Sequence, residues 1–419
     1  MHHALPRRAL AAIPVAGAAL LGAAGCARSG PDDLSLWMVT QDGAQGTTIQ
    51  ALISAFEKQN PGTSITLEQR STDDHKNALR QFAGTYLVPD IYWYWEGSGL
   101  GGELVDVGMS RDLSDDYTRL GWKDRFTDAA LAGITQYGGY QGVPWTFQGQ
   151  GLYYSKSLFA KAGVGSPPTT YDELIAAADA LVAAGITPIE FGGTVNWHVM
   201  RLLDCLLETT CGAELNDALT TGDGDWGSED AVTEAFTELR TWGKKYLNDG
   251  FMGINNDDSS QLFFTGKAAM ALEGTWFNAS VVDNGMDPDD VGIFPFPTGT
   301  NRLYGFGEAF YISANTKKSD LAARFLDFMT SEDGQKIAGD AWSAISVNAS
   351  MPVDEDNPLN PVWAQIFEDV DGGMFANNDQ NFSTAQTTEF WRIQNAVLTG
   401  DMDPADAGTT FQRFREQEG

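Results

Sequence analysis

The stretch LSLWMVTQDGAQGTTIQALISAFEKQNPGTSITLEQ, residues 34–69, contains the pattern that predicts the fold. Its first six residues form a short apolar run that is typical of a buried strand. The next apolar residues are spaced as on one face of a helix, and they are Ile49, Leu52, Ile53 and Phe56. Asn-Pro-Gly at residues 60–62 ends this helix, and a second strand is predicted at residues 65–69. The order is therefore strand, helix, strand.

The alternation continues after this stretch. Residues 74–83 are predicted to form a second helix, and Pro89 opens a third strand. Strands separated by helices favour a parallel sheet with covered faces. In open sheets of this kind, ligands bind in loops beyond the carboxyl ends of the strands. The candidate ligand contacts at these strand ends are Gln41, Asp42, Trp95 and Glu96.

Four aromatic residues stand together in PDIYWYWEGSGLGG, residues 89–102. They indicate either a buried aromatic strand or a platform for a flat, polar ligand. Because side chains alternate across a strand, one of each neighbouring pair must face inward. We assign Trp93 to the core, and we expect Tyr94, Trp95 and Glu96 to emerge into the ligand site. The boundary between strand and platform is predicted just after Trp93.

Length and charge restrict the class of protein. A chain of 419 residues is long enough for two or three lobes with a large core. It carries 26 Lys and Arg against 57 Asp and Glu, a net charge of -31. This charge repels phosphate backbones and anionic membrane surfaces, so no nucleic-acid partner is expected.

The first residues are typical of an export signal. Arg7 and Arg8 precede an apolar run at residues 9–21, which is too short to span a bilayer. Cys26 follows Ala-Ala-Gly and resembles the cysteine of a bacterial lipobox, which receives lipid and becomes the mature N-terminus. We therefore predict a lipoprotein signal peptide at residues 1–25 and a tether at residues 26–33, with an ordinary secretion signal as the alternative.

The other two cysteines are Cys205 and Cys211. In an exported chain they either form a local disulfide or remain free thiols. No zinc-ligand spacing occurs, and two of the four histidines lie in the signal. We expect neither a metal nor a cofactor.

A second unit begins near residue 150. The sequence PPTT before residue 171 leads into an amphipathic helix that ends at Gly185, and residues 186–191 return as a strand. Residues 192–198 are then a further loop at a strand end, containing Asn196, Trp197 and His198.

Nine segments of the chain together resemble the solute-binding proteins of ABC sugar importers, the group that includes maltose-binding protein. Their order and spacing cover nearly the whole chain after the tether. The segments are ISAFEKQNPG (53–62), VPDI (88–91), GVPW (142–145), GLYYSKSLFAKAG (151–163), PPTTYDELIAAADAL (167–181), FTGKAAMALEGTW (264–276), VGIFPFP (291–297), ISANTKKSDLAARFLDFMTS (312–331) and EFWRIQNAVLTG (389–400).

The resemblance implies an α/β, two-lobed periplasmic-binding-protein fold. Each lobe is expected to hold a mainly parallel sheet flanked by helices, with the ligand in the cleft between the lobes. By analogy, residues 34–147 and 306–345 form the N-terminal lobe, and residues 148–305 and 346–419 form the C-terminal lobe.

The same resemblance implies the function. The chain is expected to be a monomeric, lipid-anchored protein on the outer face of the cytoplasmic membrane. It would bind a di- or oligosaccharide and deliver it to the transmembrane subunits of an ABC permease, without chemistry on the sugar.

The resemblance also carries site residues onto this chain. Gln41 and Asp42 match a loop with polar sugar contacts, and Tyr94, Trp95 and Glu96 match one that supplies an aromatic ring and an acid. Trp276, in GTW after GKAAM, matches a tryptophan that stacks on sugar. The remaining candidates are Trp145, Phe147, Asn196, Trp197, His198, Glu308 and Trp391. Trp226, Trp242 and Trp342 are expected to be structural.

Two rival classes remain open. One is a secreted glycoside hydrolase or lyase that uses acids such as Glu96 and Glu308, since retaining glycosidases also place two carboxylates around a sugar. The other is an adhesin or signalling receptor with the same fold.

Overall fold

The computed structural model describes residues 32–41, 43–339 and 341–418. The predicted signal peptide, the predicted lipidation site Cys26 and the candidate contact Asp42 lie outside the described residues. In the described part of the chain, no helix has the combination of length and apolar character that crossing a membrane requires.

Helices and strands follow one another along the described chain. The strands are β1 (Asp33–Val39), β2 (Ser64–Arg70), β3 (Ile91–Trp95), β4 (Val143–Ser155), β5 (Thr187–Ile189), β6 (Ala268–Gly274), β7 (Val291–Phe294), β8 (Leu303–Ile312) and β9 (Met374–Phe375). The helices of the first third are α1 (Gly43–Gln59), α2 (Thr72–Phe82), α3 (Gly101–Asp106), α4 (Ser114–Arg119), α5 (Trp122–Arg125) and α6 (Asp128–Thr135).

The remaining helices lie between and after the later strands. Those before β8 are α7 (Lys156–Lys161), α8 (Tyr171–Ala183), α9 (Asn196–Thr221), α10 (Asp230–Lys245), α11 (Asn256–Phe264) and α12 (Phe277–Asp283). Those after β8 are α13 (Ser319–Thr330), α14 (Glu332–Ala338), α15 (Asn360–Asp369), α16 (Asn378–Asn381), α17 (Thr384–Thr399) and α18 (Pro404–Glu418). Two 3₁₀ turns lie at Phe251–Gly253 and Pro288–Asp290.

The opening stretch folds as its pattern predicts. β1 pairs in parallel with both β2 and β3. The four apolar residues spaced along α1 are all buried, and the Phe56 ring packs against Phe325 of α13 with 5.1 Å between ring centroids. β3 runs to Trp95, two residues beyond the predicted boundary.

The strands form one mixed sheet in the order β2-β1-β3-β8-β4-β6-β5, with β7 added to β4 and β9 to β8. β5 and β6 are parallel, whereas the central strands β4 and β8 are antiparallel to each other. β8 is also antiparallel to β3, and β4 to β6. Two groups of parallel strands are thus joined by one long antiparallel pair.

Buried apolar side chains divide at this central pair. The first cluster takes its members from residues 34–145 and 309–347. The second and third clusters take theirs from residues 152–304 and 344–411. The chain changes from one side to the other inside β4, inside β8 and near residue 345. The predicted lobe boundaries at 147, 306 and 345 stay a prediction, and this division of the core supports them.

The two cysteines of the predicted disulfide are free thiols in the structure. Both lie on α9, Cys205 buried and Cys211 half-buried. Residues six apart in a helix are separated by about 9 Å along its axis, whereas a disulfide joins Cα atoms about 4.4–6.8 Å apart. The disulfide alternative is therefore wrong for this conformation.

Candidate functional site

A cavity of about 320 Å³ lies where the two sides of the core meet. We call it the aromatic cavity. Its six large rings are Trp93, Trp95, Trp197, Trp276, Phe306 and Trp342. Its polar side chains include Gln41, Gln45, Thr72, Lys76, Gln148, Arg201, Glu308, Asn377, Asp379 and Gln380.

β3 presents alternate residues to this cavity. Trp93 and Trp95 share one face of the strand and contact each other with ring centroids 4.5 Å apart. Tyr94 points to the other face, is fully buried and packs near His75. The assignment of Tyr94 to the ligand site is therefore wrong, whereas Trp93 belongs to the first core cluster as expected and also lines the cavity. The reason is the two-residue period of a strand that continues to Trp95.

Arg201 of α9 holds two tryptophans in place. Its guanidinium lies 4.5 Å from the ring centroid of Trp197 and 5.0 Å from that of Trp276. Glu273 at the end of β6 accepts from Arg201 Nη1 at 2.7 Å and from Trp276 Nε1 at 3.0 Å. This ion pair is almost fully buried, so the orientation of both indoles is well defined. The structure thus places the predicted Trp197 and Trp276 together.

The two neighbours of Trp197 do not reach the cavity. Asn196 accepts hydrogen bonds from the side chains of Gln394 and Asn395 of α17. His198 is fully buried and stacks on Phe191, with 4.4 Å between ring centroids. Residues 196–198 form the first turn of α9 instead of the predicted loop, so their side chains diverge around the helix.

Burial also determines the protonation of this region. The pKa of His198 is held well below its usual value, mainly because burial disfavours the charged ring. Burial, with the negative charge of Glu273 nearby, raises the pKa of Glu190 to about 8.

Donor atoms of Glu190, His198 and Glu273 lie within 4.8 Å of one another, as in a metal site. However, His198 Nδ1 accepts the Gly192 N–H at 3.2 Å. The proton of the neutral ring is then on Nε2, which has no lone pair for a cation. The cluster therefore does not match the ligand chemistry of a metal centre.

The central strands supply the floor of the aromatic cavity. Gln148 of β4 donates from Nε2 to the Trp342 carbonyl at 2.8 Å and accepts from the Thr275 hydroxyl. Glu308 of β8 accepts from the Thr146 hydroxyl. Burial raises the pKa of Glu308 to about 7, so this group can donate as well as accept near neutral pH. These polar groups suit a ligand with many hydroxyls.

A second cavity, of about 560 Å³, is lined by Glu96, Phe147, Gly307 and Phe367 among others. Phe147 adjoins Gln148 in β4, so the two side chains point to opposite faces. The Glu96 carboxylate packs closely against the backbone of Gly307. A Cβ at that position would lie only 2.1 Å from Glu96 Oε2. Burial and the charge of Glu308 raise the pKa of Glu96 to about 8. Glu96 and Phe147 thus line the second cavity and not the aromatic cavity, although Phe306 and Gln380 border both.

Two predicted cleft tryptophans pack with or against the core and do not line these two cavities. Trp145 is buried and contacts Phe310 and Trp342 edge-on, each with 5.5 Å between ring centroids. Trp391 of α17 points its Nε1 at Met200 Sδ, 3.3 Å away. Neither residue is among those that line the aromatic or the second cavity. Trp342, expected to be structural, does line the aromatic cavity.

Sequence reasoning missed several polar residues of the aromatic cavity. Lys76 of α2 lies 4.8 Å from the Trp95 ring centroid, and its Nζ is 3.5 Å from Asp379 Oδ2. Gln148 could have been found by extending the alternation along β4. Asp379 and Gln380 belong to the short helix α16, whose sequence NDQN gives no comparable signal.

A cavity between two separate cores, lined by aromatic rings and polar side chains, defines a cleft-type binding protein of the two-lobed α/β class. Residues 40–336 match the family model of the bacterial extracellular solute-binding proteins. The chain belongs to this family, which confirms the resemblance seen in the sequence.

Named relatives agree with this assignment. The chain is 23% identical over 396 residues to the multiple sugar-binding protein of Streptococcus mutans, covering 89% of this chain and 90% of the relative. Its fold is similar to that of a chitin oligosaccharide binding protein, with a TM-score of 0.85, 23% identity and coverage of 92% and 98%.

A third relative was solved in a study of xylan utilization by Caldanaerobius polysaccharolyticus. It has a TM-score of 0.83 and 24% identity, with coverage of 91% of this chain and 99% of that chain. The predicted fold class is confirmed by these likenesses.

Proposed function

We propose that this protein is the lipid-anchored receptor of an ABC sugar importer, which captures a neutral di- or oligosaccharide in the aromatic cavity. The observation that carries the proposal is the combination of six aromatic rings with hydroxyl-binding side chains in one cleft. Cys26 would hold the protein on the outer face of the membrane, and a permease would receive the sugar from the monomeric receptor. The names of the relatives above support a sugar as the ligand.

The aromatic rings suit the apolar C–H faces of pyranose rings. Trp95 and Trp276 come from opposite sides of the cleft, on β3 and after β6. More than one ring face is available, which favours a ligand of more than one sugar unit. A cavity of about 320 Å³ is at the small end of ordinary ligand sites, which range over about 300–1,000 Å³, so a short oligosaccharide is expected.

The charges of the cavity favour a neutral sugar. Within the described residues, the cavity is lined by one lysine and one arginine, and both are already in ion pairs. Lys76 pairs with Asp379, and Arg201 pairs with Glu273. A uronic acid would need to break one of these pairs or stay unpaired at a buried site, which costs free energy. Neutral hydroxyls can instead bond to the same carboxylates and amides.

Capture also requires the sugar to favour a closed cleft. A ligand shifts such an equilibrium only through its different affinity for the two states. Lys76 lies on α2, whose Leu79 belongs to the first cluster, and Asp379 lies on α16, between Phe375 and Phe382 of the second cluster. Their ion pair therefore spans the cleft. A sugar that contacts both sides would add to this closing interaction.

The hydrolase alternative receives less support from the geometry. Its two proposed acids, Glu96 and Glu308, line different cavities that adjoin at Phe306 and Gln380. A glycosidase needs both carboxylates beside one glycosidic bond.

A thermal-shift screen tests the proposal. We expect maltotriose, xylotriose, chitotriose or raffinose to raise the melting temperature, whereas trigalacturonate and free glucose do not. A response to trigalacturonate alone, or to none of the neutral sugars, would contradict it. Release of reducing ends from the bound sugar at catalytic protein concentration would support the hydrolase.

A further inference from the structure

The short helix α16 reaches the aromatic cavity from the second side of the core. Together with the residue before it, this helix contributes Asn377, Asp379 and Gln380 to the cavity wall. A single turn of four residues is not stable by itself, because helix nucleation costs more than one hydrogen bond returns. Contacts from elsewhere must hold it.

Asp204 of α9 supplies those contacts. Its buried carboxylate accepts from the Asn378 backbone N–H at 3.0 Å and from Asn378 Nδ2 at 2.6 Å. It also accepts from the Tyr304 hydroxyl on β8 at 2.8 Å. One carboxylate therefore joins α9, the central strand β8 and the start of α16.

The other side of α16 meets the first side of the core. The Gly99 N–H donates to the Gln380 carbonyl at 2.6 Å, and Lys76 pairs with Asp379 at 3.5 Å. Gly99 permits this approach because a Cβ there would lie 2.0 Å from the Phe382 carbonyl oxygen. The helix is therefore held between Asp204 and the residues across the cleft.

We propose that Asp204 is a positioning residue for ligand capture. It does not line the cavity, but it holds α16 so that Asp379 and Gln380 can meet Lys76 and Gly99 as the cleft closes. The effect on sugar affinity rests on the proposed function, whereas the anchoring of α16 can be measured without sugar.

Protonation should weaken this anchor, since a neutral acid cannot accept three hydrogen bonds as strongly as a carboxylate. Burial raises the pKa of Asp204 to about 7, within the range of ordinary assays. The titratable and charged side chains around it, on α9, β8 and α16, are Arg201, Cys205, Glu208, Tyr304 and Asp379.

Hydrogen exchange in the ligand-free protein tests the anchor. In Asp204→Asn we expect the amides of Gln380, Phe382 and Gly99 to exchange about tenfold faster, because α16 is released. The matched control is Glu208→Gln, one turn further along α9, whose carboxylate bonds to Asn216 at 2.7 Å. That variant should leave these three amides unchanged. Unchanged exchange in Asp204→Asn would overturn the proposal.

A second variant covers the case in which Asp204→Asn does not fold. Asn378→Ala keeps the backbone bond to Asp204 and removes only the side-chain bond at 2.6 Å. We expect the same amides to exchange faster, to a smaller extent. Equal exchange in Asn378→Ala and the wild type would overturn the anchoring role.

Sugar titrations then test the coupling across the cleft, using whichever of maltotriose, xylotriose, chitotriose and raffinose binds the wild type. Lys76→Met should weaken affinity about three- to fivefold in the wild type but much less in Asp204→Asn, where Asp379 is no longer held. The affinity of the wild type should fall from about pH 8 to pH 6 more steeply than that of Asp204→Asn.

Equal effects of Lys76→Met in both backgrounds, or parallel pH profiles, would overturn the positioning role in capture. If no sugar binds the wild type, the proposed function fails, and the exchange result still decides whether Asp204 anchors α16.

Discussion

Replacing Trp276 by alanine removes one wall of the aromatic cavity. The ring is half-buried, held by Glu273 and Arg201, and 5.6 Å from the ring centroid of Phe306. A tryptophan side chain has about 150–250 Å² of surface, and one ring face is roughly a third of that, about 60 Å². At about 25 cal/mol per Å², losing a sugar from that face costs about 1.5 kcal/mol, or about tenfold in affinity.

Calorimetric titration with the oligosaccharide found in the thermal-shift screen measures this loss. Trp276→Phe keeps an aromatic face but lacks the N–H that donates to Glu273. Its sugar affinity should therefore decrease less than that of Trp276→Ala. Trp391→Ala is the matched control, because that half-buried indole packs against the second core cluster and does not line the aromatic cavity. It should lower the melting temperature and leave affinity unchanged. Equal affinity of Trp276→Ala and the wild type would refute the stacking role.

Three further predictions concern pH, anchoring and the thiols. Burial raises the pKa of both Glu96 and Glu190 from 4.5 to about 8, so the folded protein binds these two protons more tightly than the unfolded chain. The resulting contribution to stability is complete below pH 4.5 and is lost as the pH rises to about 8. The melting temperature should therefore fall between about pH 5 and pH 8, and a Glu96→Gln variant with the same decline would contradict this assignment. Cys26→Ser should move the protein from the membrane fraction to the soluble fraction, and continued anchoring would contradict the lipoprotein prediction. Because Cys205 and Cys211 are free thiols, a reducing agent should leave the melting temperature unchanged, whereas a marked decrease would indicate a disulfide.

Local patterns predicted the elements of the fold well. The four apolar residues of α1 are all buried, and α2 covers residues 72–82 where residues 74–83 were expected. These elements depend on periodicity and on end signals a few residues away, both of which are readable in one sequence. The mixed sheet was less predictable, because the pairing of β4 with β8 joins residues more than 150 positions apart.

The candidate site was predicted only in part. Gln41, Trp95, Trp197, Trp276 and Glu308 line the aromatic cavity. Tyr94, Trp145, Asn196, His198 and Trp391 do not, and Phe147 and Glu96 line the second cavity. Tyr94, Glu96, Asn196 and His198 were included because each adjoins a correct residue, although neighbours on a strand or helix point in different directions. Trp145 and Trp391 instead pack against core residues far away in the chain.

By itself, the sequence determined the strand and helix order, the family and the presence of tryptophans near strand ends. These properties reside in short segments and in their spacing along the chain. Only the tertiary structure decided which face of β3 lines the aromatic cavity, which cations are paired, and that Asp204 contacts α16 beside the cavity. The physical reason is that these contacts join residues far apart in the chain, and their geometry depends on how the whole sheet and its helices pack.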